Sequence, residues 1–212
     1  REEIFIATKI SDPAEFPVLE QRLDQQLAAL GIDFLDLYML HSPGDRAGRE
    51  AAWRAMEALH ARGKVRSLGV SNFGVAELDE LFAFARVRPV YLQNKLSVYN
   101  PGEQQVGPRS VLAYARENGL AVMGYSVINP WPFMLPPMED PHVKSIAARY
   151  GRSPAQVLHR WALQLGAAVI PKSASPARIA ENARLLDFRL SETDVRLLSG
   201  LVALSESTVD LL

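Results

Sequence analysis

Short apolar runs alternate with longer amphipathic segments along nearly the whole chain, and this alternation limits the possible folds more than any other feature. Strands of a parallel sheet are buried on both faces, so they lack the period-two pattern of half-exposed strands. The alternation therefore predicts about six parallel β/α units, at a spacing of roughly 30 residues. The predicted strands are IFIAT, LDLYML, VRSLGV, VYLQ, LAVMGY and AVI, which begin at Ile4, Leu35, Val65, Val90, Leu120 and Ala168.

Two segments in the last quarter of the chain indicate where helices begin. In VIPKSASPARIAEN an apolar run ends in a proline and a lysine, and Ser175 then occupies an N-cap position with Pro176 at the first helical position. This order predicts a strand, a polar loop and a helix. Further on, Ser191 followed three residues later by Asp194 resembles a capping box, with aspartate in place of the commoner glutamate.

Two architectures accept such a chain, an open doubly wound sheet and a (β/α)₈ TIM barrel. A nucleotide-binding doubly wound fold usually carries a GxGxxG turn after an early strand, and this motif does not occur here. Instead, almost every predicted strand ends in a polar side chain, which is how a (β/α)₈ barrel builds its site. We therefore predict the barrel. The polar strand-end residues are Lys9, His41, Ser71, Asn72, Gln93, Ser126 and Lys172.

The number of predicted strands is smaller than a complete barrel needs. A (β/α)₈ barrel has eight strands and about 250 residues, whereas this sequence has 212 residues and opens within a strand-like run without an initiator methionine. We therefore expect a single barrel domain over residues 1–212, incomplete at its N-terminus, with about six of the eight units present and two units upstream.

Composition excludes several classes of function. The formal net charge is −1, so the overall charge gives no reason to expect nucleic acid or an anionic membrane as a partner. The chain has no cysteine, which excludes disulfides, thiolate metal ligands and a cysteine nucleophile. No apolar run approaches the roughly 20 residues that span a bilayer. We expect a cytoplasmic protein without a metal site.

Six ordered segments resemble the successive signature segments of the aldo-keto reductases, which are NADP-dependent (β/α)₈ oxidoreductases. The resemblance covers essentially the whole chain, and its last segment is the most specific. It implies reduction of an aldehyde or ketone, a small-molecule carbonyl substrate, to an alcohol with NADP(H) as cofactor. The segments are TK at Thr8 and Lys9, LYMLHSP around His41, GVSNF from Gly69, LQNK around Gln93, GYS from Gly124 and IPKSASPARIAEN from Ile170.

The resemblance implies two catalytic residues. Lys9 matches the family's catalytic lysine, and His41 matches its catalytic histidine. In the family, these two residues assist a tyrosine that donates a proton to the carbonyl oxygen. The tyrosine and the partner aspartate of the family lie upstream of the lysine strand, outside these 212 residues. Tyr38 lies within a predicted strand, and Tyr125 matches the residue that stacks on the nicotinamide ring. We therefore expect the chain to be weakly active or inactive.

The resemblance also implies a set of cofactor-binding residues. Lys172, Ser173 and Arg178 match the positions that hold the 2′-phosphate of NADP. The two cations, Lys172 and Arg178, argue for NADP over NAD. Glu181 and Asn182 match the residues that reach the adenine. The nicotinamide amide ligands are matched by Ser71, Asn72 and Gln93, the ring-stacking residue by Tyr125, and the pyrophosphate loop by Ser126.

Other functions remain open from the residues alone. One is a non-catalytic NADP-binding regulatory subunit, and another is a Schiff-base aldolase-type barrel with Lys9 or Lys172 as the nucleophile. Taken singly, a lysine like Lys9 is more often a solvent-facing residue at a strand end, and a histidine like His41 is more often a hydrogen-bonded structural residue. The long loop around Trp131 is predicted to shape the substrate pocket and to favour an apolar carbonyl substrate. No role is assigned to His60, His142 or His159.

Overall fold

The computed structural model describes residues 1–10, 18–100, 110–129 and 136–201. Strands and helices alternate along the described chain as the sequence predicts, and a 3₁₀ turn, Pro137–Glu139, precedes the fifth helix. The strands are β1 (Ala7–Ile10), β2 (Leu37–Leu40), β3 (Leu68–Ser71), β4 (Tyr91–Lys95), β5 (Ala121–Tyr125) and β6 (Ala167–Val169). The helices are α1 (Leu19–Leu30), α2 (Arg46–Ala61), α3 (Val75–Phe84), α4 (Val111–Glu117), α5 (Pro141–Tyr150), α6 (Pro154–Gln164), α7 (Pro176–Ala183) and α8 (Glu192–Ser199).

The described residues form two compact units. One spans Arg1–Gln93 and Val106–Ala121, and the other spans Asn94–Gln105 and Val122–Leu212, as far as these ranges fall within the described residues. The prediction of one domain over residues 1–212 stays a prediction. No helix in the described part of the chain is both long enough and apolar enough to cross a membrane.

In the first unit, β1 to β4 pair with their neighbours in parallel, in chain order. Every residue of β2 and β3 is buried, which accounts for the absence of a period-two pattern in their sequences. Tyr38 and Trp53 are fully buried in the core of this unit, and the indole N–H of Trp53 donates to the carbonyl of Val87 at 3.1 Å. The sheet of this unit therefore presents the carboxyl ends of successive strands at one edge.

The first strand begins three residues later than the run IFIAT predicts. Ile4 and Phe5 are 58% and 55% exposed and precede the strand, which starts at Ala7. The backbone N–H of Ile6 donates to the carboxylate of Asp36 at 2.9 Å rather than to a strand neighbour. An apolar run shows where a strand is favoured. Here the carboxylate of Asp36 accepts the backbone N–H of Ile6, which a longer strand would have used in its pairing with a neighbouring strand.

In the second unit, β5 pairs with β6 in parallel, with Val122 opposite Ala167. Helices α5, α6 and α8 bury their apolar faces, and Trp161 of α6 is fully buried with its indole N–H donating to the hydroxyl of Ser199 at 3.0 Å. Ser153 and Gln156 form a reciprocal capping box at the start of α6.

The predicted caps at Ser175 and Ser191 are both present as N-cap residues, but their hydrogen bonds differ from the expected pattern. Ser191 accepts from the N–H of Asp194 at 3.1 Å, whereas the N–H of Ser191 donates to the hydroxyl of Tyr150 at 2.8 Å. The carboxylate of Asp194 instead accepts from the hydroxyls of Ser191 and Tyr150. In a complete capping box the side chain of Asp194 would accept the backbone N–H of Ser191. Here Tyr150 of helix α5 accepts it instead. Ser175 makes no side-chain cap bond.

The absence of a side chain at Gly69 allows β2, β3 and β4 to pack closely in the first unit. A Cβ atom at this position would lie 2.9 Å from Cγ of Met39, 3.0 Å from the carbonyl oxygen of Tyr91 and 3.1 Å from Cδ1 of Leu37. One of these three contacts is with backbone, which cannot rotate away.

We expect Gly69→Ala to lower the free energy of unfolding by about 1–3 kcal/mol, because the added methyl group overpacks the sheet. Gly48→Ala is the matched control: a Cβ there meets only the carboxylate of Asp45, at 3.4 Å or more, and alanine is the better helix former. Denaturant unfolding followed by tryptophan fluorescence measures both. Equal midpoints for the two variants would contradict this packing argument.

Candidate functional site

Five of the predicted site residues lie at the carboxyl ends of the four strands of the first unit. Lys9 belongs to β1, His41 directly follows β2, Ser71 ends β3 with Asn72 next to it, and Gln93 belongs to β4. Ser71 and Gln93 are register partners and are almost completely buried. Parallel pairing therefore gathers these polar groups at one edge of the sheet, as the sequence predicts.

Lys9 and Gln93 are joined by a short hydrogen bond. The Nζ of Lys9 donates to Oε1 of Gln93 at 2.7 Å, across 84 positions of sequence, and the side-chain amide of Gln26 donates to the Lys9 carbonyl at 3.2 Å. Burial lowers the pKa of Lys9 from its ordinary value, because the charged form loses solvation. Gln93 accepts from the ammonium group without neutralising it, so a cation is held at the strand ends.

His41 lies close enough to Lys9 for the two charges to interact. Its pKa is lowered first by burial and then by the positive charge of Lys9, so the neutral imidazole is favoured at pH 7. The backbone N–H of His41 donates to the carbonyl of Ile10 at 3.0 Å, which ties the residue to the end of β1. The structure thus brings the two predicted catalytic residues together.

Asn72 fixes the backbone at the end of β3. Its φ is 62°, in the left-handed region that asparagine tolerates better than most residues. Its side-chain N–H groups donate to the carbonyl of His41 at 2.8 Å and to the hydroxyl of Ser71 at 3.2 Å, and its backbone N–H donates to the carbonyl of Gln93 at 3.1 Å. Asn72 therefore connects the ends of three strands.

In the second unit, the loop after β6 and helix α7 form a surface pocket of about 440 Å³. Its lining includes Lys172, Ser173 and Asn182, three of the residues predicted to bind the adenosine end of NADP. Ser173 accepts from the N–H of Ser175 at 3.1 Å, which shapes the loop before the helix. Lys172 is exposed, and its ammonium group supplies a cation beside the start of α7.

Arg178 and Glu181 do not line this pocket, although they belong to α7. Both lie on a neighbouring stripe of the helix, since they are three residues apart and the helical lining residues are Ile179, Asn182 and Ala183. Arg178 is exposed, while the carboxylate of Glu181 accepts a hydrogen bond from the Ser153 hydroxyl at the N-cap of α6. The predicted roles of both residues stay predictions.

Tyr125 and Ser126 also belong to the second unit. Tyr125 ends β5 and is half-buried, and burial raises the pKa of its phenol. Ser126 follows it with φ 55°, in the left-handed region, and lines a cavity of about 100 Å³ together with Lys172. A non-glycine residue held in this conformation is a frequent feature of ligand-binding turns.

Comparison with known proteins identifies the family of the chain. The model of the Aldo/keto reductase family matches residues 1–130 and 138–203. The chain belongs to the aldo/keto reductase family. The predicted family is therefore confirmed, and so is the predicted class of enzyme, the oxidoreductases. The role of each residue stays a prediction.

Two curated relatives show the extent of the similarity. Aldo-keto reductase family 1 member A1 of Pongo abelii is 34% identical over 95% of this chain and 68% of the relative. An NADPH-dependent D-xylose reductase of Meyerozyma guilliermondii is also 34% identical, over 95% of this chain and 73% of the relative. This aldo/keto reductase thus spans about 70% of the length of either enzyme.

A solved structure shows that the fold agrees as well. The crystal structure of an aldo/keto reductase from Brucella melitensis is similar with a TM-score of 0.83 and 34% sequence identity, over 95% of this chain and 74% of that one. The predicted fold class, α/β of the (β/α)₈ barrel kind, is confirmed by this likeness.

Four tyrosines of this aldo/keto reductase are buried or hydrogen-bonded to carboxylates. Tyr38 is fully buried in β2, as predicted. The hydroxyl of Tyr99 donates to Asp140 at 2.7 Å, and burial together with this carboxylate raises the pKa of its phenol. The hydroxyls of Tyr114 and Tyr150 donate to the carboxylates of Asp79 and Asp194.

Two histidines without an assigned role have structural partners. A ring nitrogen of His60 lies 3.0 Å from the carbonyl of Val65, and one of His142 lies 3.3 Å from the carboxylate of Asp140. His159 is different: it is buried and lines the cavity that contains Ser126 and Lys172. The sequence signal for it is a histidine at an otherwise apolar position of α6.

Two further site predictions concern the substrate pocket and metals. The segment around Trp131, predicted to shape the substrate pocket, lies outside the described residues. Within the residues that the structure describes, no group of three or more histidine, aspartate or glutamate side chains could hold a metal ion.

We expect Lys9→Met to raise the pKa of His41 toward its ordinary value, because one of the two causes of the lowering is the charge of Lys9. An NMR titration of the His41 ring protons measures this pKa. Lys64→Met is the control, since Lys64 pairs with Glu20 and Asp24 at the surface and should leave the pKa of His41 unchanged. An unchanged pKa in Lys9→Met would show that the two groups are not electrostatically coupled.

Proposed function

We propose that the protein reduces an aldehyde or ketone to an alcohol with NADPH as cofactor. The observation that carries this proposal is the cluster of Lys9, His41 and Gln93 at adjacent strand ends in a member of the aldo/keto reductase family. A cation and a neutral imidazole beside each other can orient and polarise a carbonyl oxygen, which is what carbonyl reduction requires of the protein.

In this proposal each residue has a separate task. His41, neutral at pH 7, donates an N–H to the carbonyl oxygen and so fixes its direction. Lys9 supplies positive charge that stabilises the negative charge developing on that oxygen. Gln93 keeps the ammonium group of Lys9 in place through the 2.7 Å bond. When bound, NADPH supplies the hydride that reaches the carbonyl carbon.

The second unit offers groups that fit NADP. Lys172 and Ser173 line the pocket of about 440 Å³ beside the start of α7, where an ammonium, a hydroxyl and helix N–H groups suit a phosphate. Asn182 and the exposed Ile179 on the same pocket provide polar and apolar surface for an adenine ring. The printed name of the Meyerozyma relative, an NADPH-dependent reductase, supports this choice of cofactor.

We propose in addition that these 212 residues, taken on their own, turn over slowly. The resemblance implies that the family's proton-donating tyrosine and its aspartate lie upstream of Lys9, and the pKa values of Tyr99 and Tyr125 are raised rather than lowered. The same observation favours a second candidate function, an NADP-binding subunit without useful turnover. Orientation and charge stabilisation remain, but acid catalysis, worth about 10²–10⁴-fold in rate, is missing.

The cofactor proposal predicts selective binding. We expect the chain to bind NADPH more tightly than NADH, and Lys172→Met to weaken NADPH binding by about tenfold and NADH binding by a smaller factor, because only NADPH carries the 2′-phosphate while Lys172 also borders the cavity that contains Ser126. Titrations that follow the fluorescence of each nucleotide measure both affinities. Lys144→Met is the matched control, since Lys144 forms an exposed ion pair with Glu139. Equal affinities for NADPH and NADH in the unmodified chain would contradict the proposed cofactor.

The catalytic proposal predicts slow, cofactor-dependent reduction. We expect NADPH absorbance to fall slowly with an apolar aldehyde as substrate, and Lys9→Met to abolish even this rate. Binding without any turnover would instead support the non-catalytic subunit. Borohydride trapping of a carbonyl compound on Lys9 or Lys172, without any dependence on NADPH, would support the aldolase-type reaction and overturn carbonyl reduction.

A further inference from the structure

His159 is a buried polar side chain whose hydrogen bonding calls for an explanation. It lies in α6, is 2% exposed, and neither of its ring nitrogens has a hydrogen-bond partner among the described protein groups. Buried polar groups almost always have a partner, because an unpaired one costs free energy. A leucine would fill the same apolar stripe of the helix without that cost. The two unpartnered ring nitrogens of His159 therefore indicate that a ligand binds here.

The cavity next to His159 is built from polar groups that donate hydrogen bonds. It measures about 100 Å³ and lies under the loops that follow β5 and β6 in the second unit. Besides His159, its polar lining consists of Ser126, Asn129 and Lys172, and the other lining residues are glycine, proline and aliphatic side chains. No carboxylate belongs to the part of the lining that the structure describes. A hydroxyl, an amide, an ammonium group and an imidazole around so small a space suit an oxyanion.

The protonation state of His159 is set by the groups that face it. Burial lowers its pKa to about 4, while the carboxylate of Glu181 on α7 opposes this lowering. Glu181 is itself held by the hydroxyl of Ser153. At pH 7 the imidazole is therefore neutral and offers one N–H donor. An oxyanion bound beside it would favour the protonated form and raise its pKa.

We propose that His159 is a cofactor-binding residue that donates a hydrogen bond to the diphosphate of the dinucleotide from beneath the loops after β5 and β6. The inference rests on the proposed function, since it concerns the same cofactor. The diphosphate is favoured over the 2′-phosphate because the cavity contains Ser126, the residue that matches the pyrophosphate loop, whereas Ser173 and Asn182 line the surface pocket, which shares only Pro171 and Lys172 with the cavity. The volume accommodates one phosphate group, about that of three water molecules.

The choice of nucleotides separates this inference from the proposed function. NADPH and NADH share the diphosphate and differ in the 2′-phosphate. We expect His159→Leu to weaken the binding of both nucleotides by the same factor, about tenfold, whereas Lys172→Met, at a residue that lines both pockets, weakens NADPH more than NADH. His159→Gln retains an N–H donor at this position and should recover part of the affinity. Denaturant melts of each variant establish that it folds, and leucine at this buried position should not lower stability.

A spectroscopic measurement tests the contact directly in the unmodified chain. The protein has four histidines, so the imidazole nitrogen signals of His159 can be assigned by comparison with His159→Gln. Addition of either nucleotide should shift these signals and raise the pKa of His159 above about 4. Relative to His159→Leu, the affinity of the unmodified chain should then rise as the pH falls from 8 toward 5.5.

Each contrary result has a distinct meaning. Selective NADPH binding that is equal in His159→Leu and the unmodified chain would overturn the role of His159 and leave the cofactor proposal standing. Weaker binding of NADPH alone would place His159 at the 2′-phosphate and overturn the diphosphate contact. Unshifted His159 signals at saturating nucleotide would overturn the contact whatever the variants do. Failure to bind either nucleotide would overturn the cofactor proposal and this inference together.

Discussion

The half-buried charge of Lys9 is the constraint on which the site of the first unit depends. An ammonium group at this position loses solvation, and the hydrogen bond that holds it goes to a neutral amide oxygen, that of Gln93. A carboxylate in place of this amide would have cancelled the charge. Because the charge persists, it acts on its surroundings and favours the neutral form of His41. A catalytic lysine thus needs a partner that positions it without neutralising it.

The positions of the strand-end residues follow from the order of the strands in the sequence. Their hydrogen-bond partners do not follow from it. Parallel strands with their carboxyl ends at one edge bring Lys9, Ser71 and Gln93 together whatever the helices between them are. Buried runs and polar strand ends therefore sufficed to predict six strands and a strand-end site. That Lys9 donates to Gln93, 84 positions away, depends on side-chain reach, and no local pattern encodes it.

The predictions that differ from the structure share one physical cause, competition from distant side chains. Asp36 takes the backbone N–H of Ile6, and β1 begins later than its apolar run indicates. The hydroxyl of Tyr150 takes the N–H of Ser191, which a local capping box would have used. Local propensity determines which elements form, and long-range polar groups then adjust how they begin and end.

The imidazoles of His41 and His159 are both favoured in their neutral form, and this limits what each can do. A neutral imidazole donates one N–H and accepts at the other nitrogen, so it can orient an oxygen without transferring a proton to it. The proton that completes carbonyl reduction must come from an acid whose pKa lies near the working pH. A phenol beside the cation of Lys9 would have its pKa lowered toward that range, whereas burial raises the pKa of Tyr125. In the proposed function Lys9 and His41 therefore provide charge and orientation, and acid catalysis is the component that a tyrosine next to Lys9 would add.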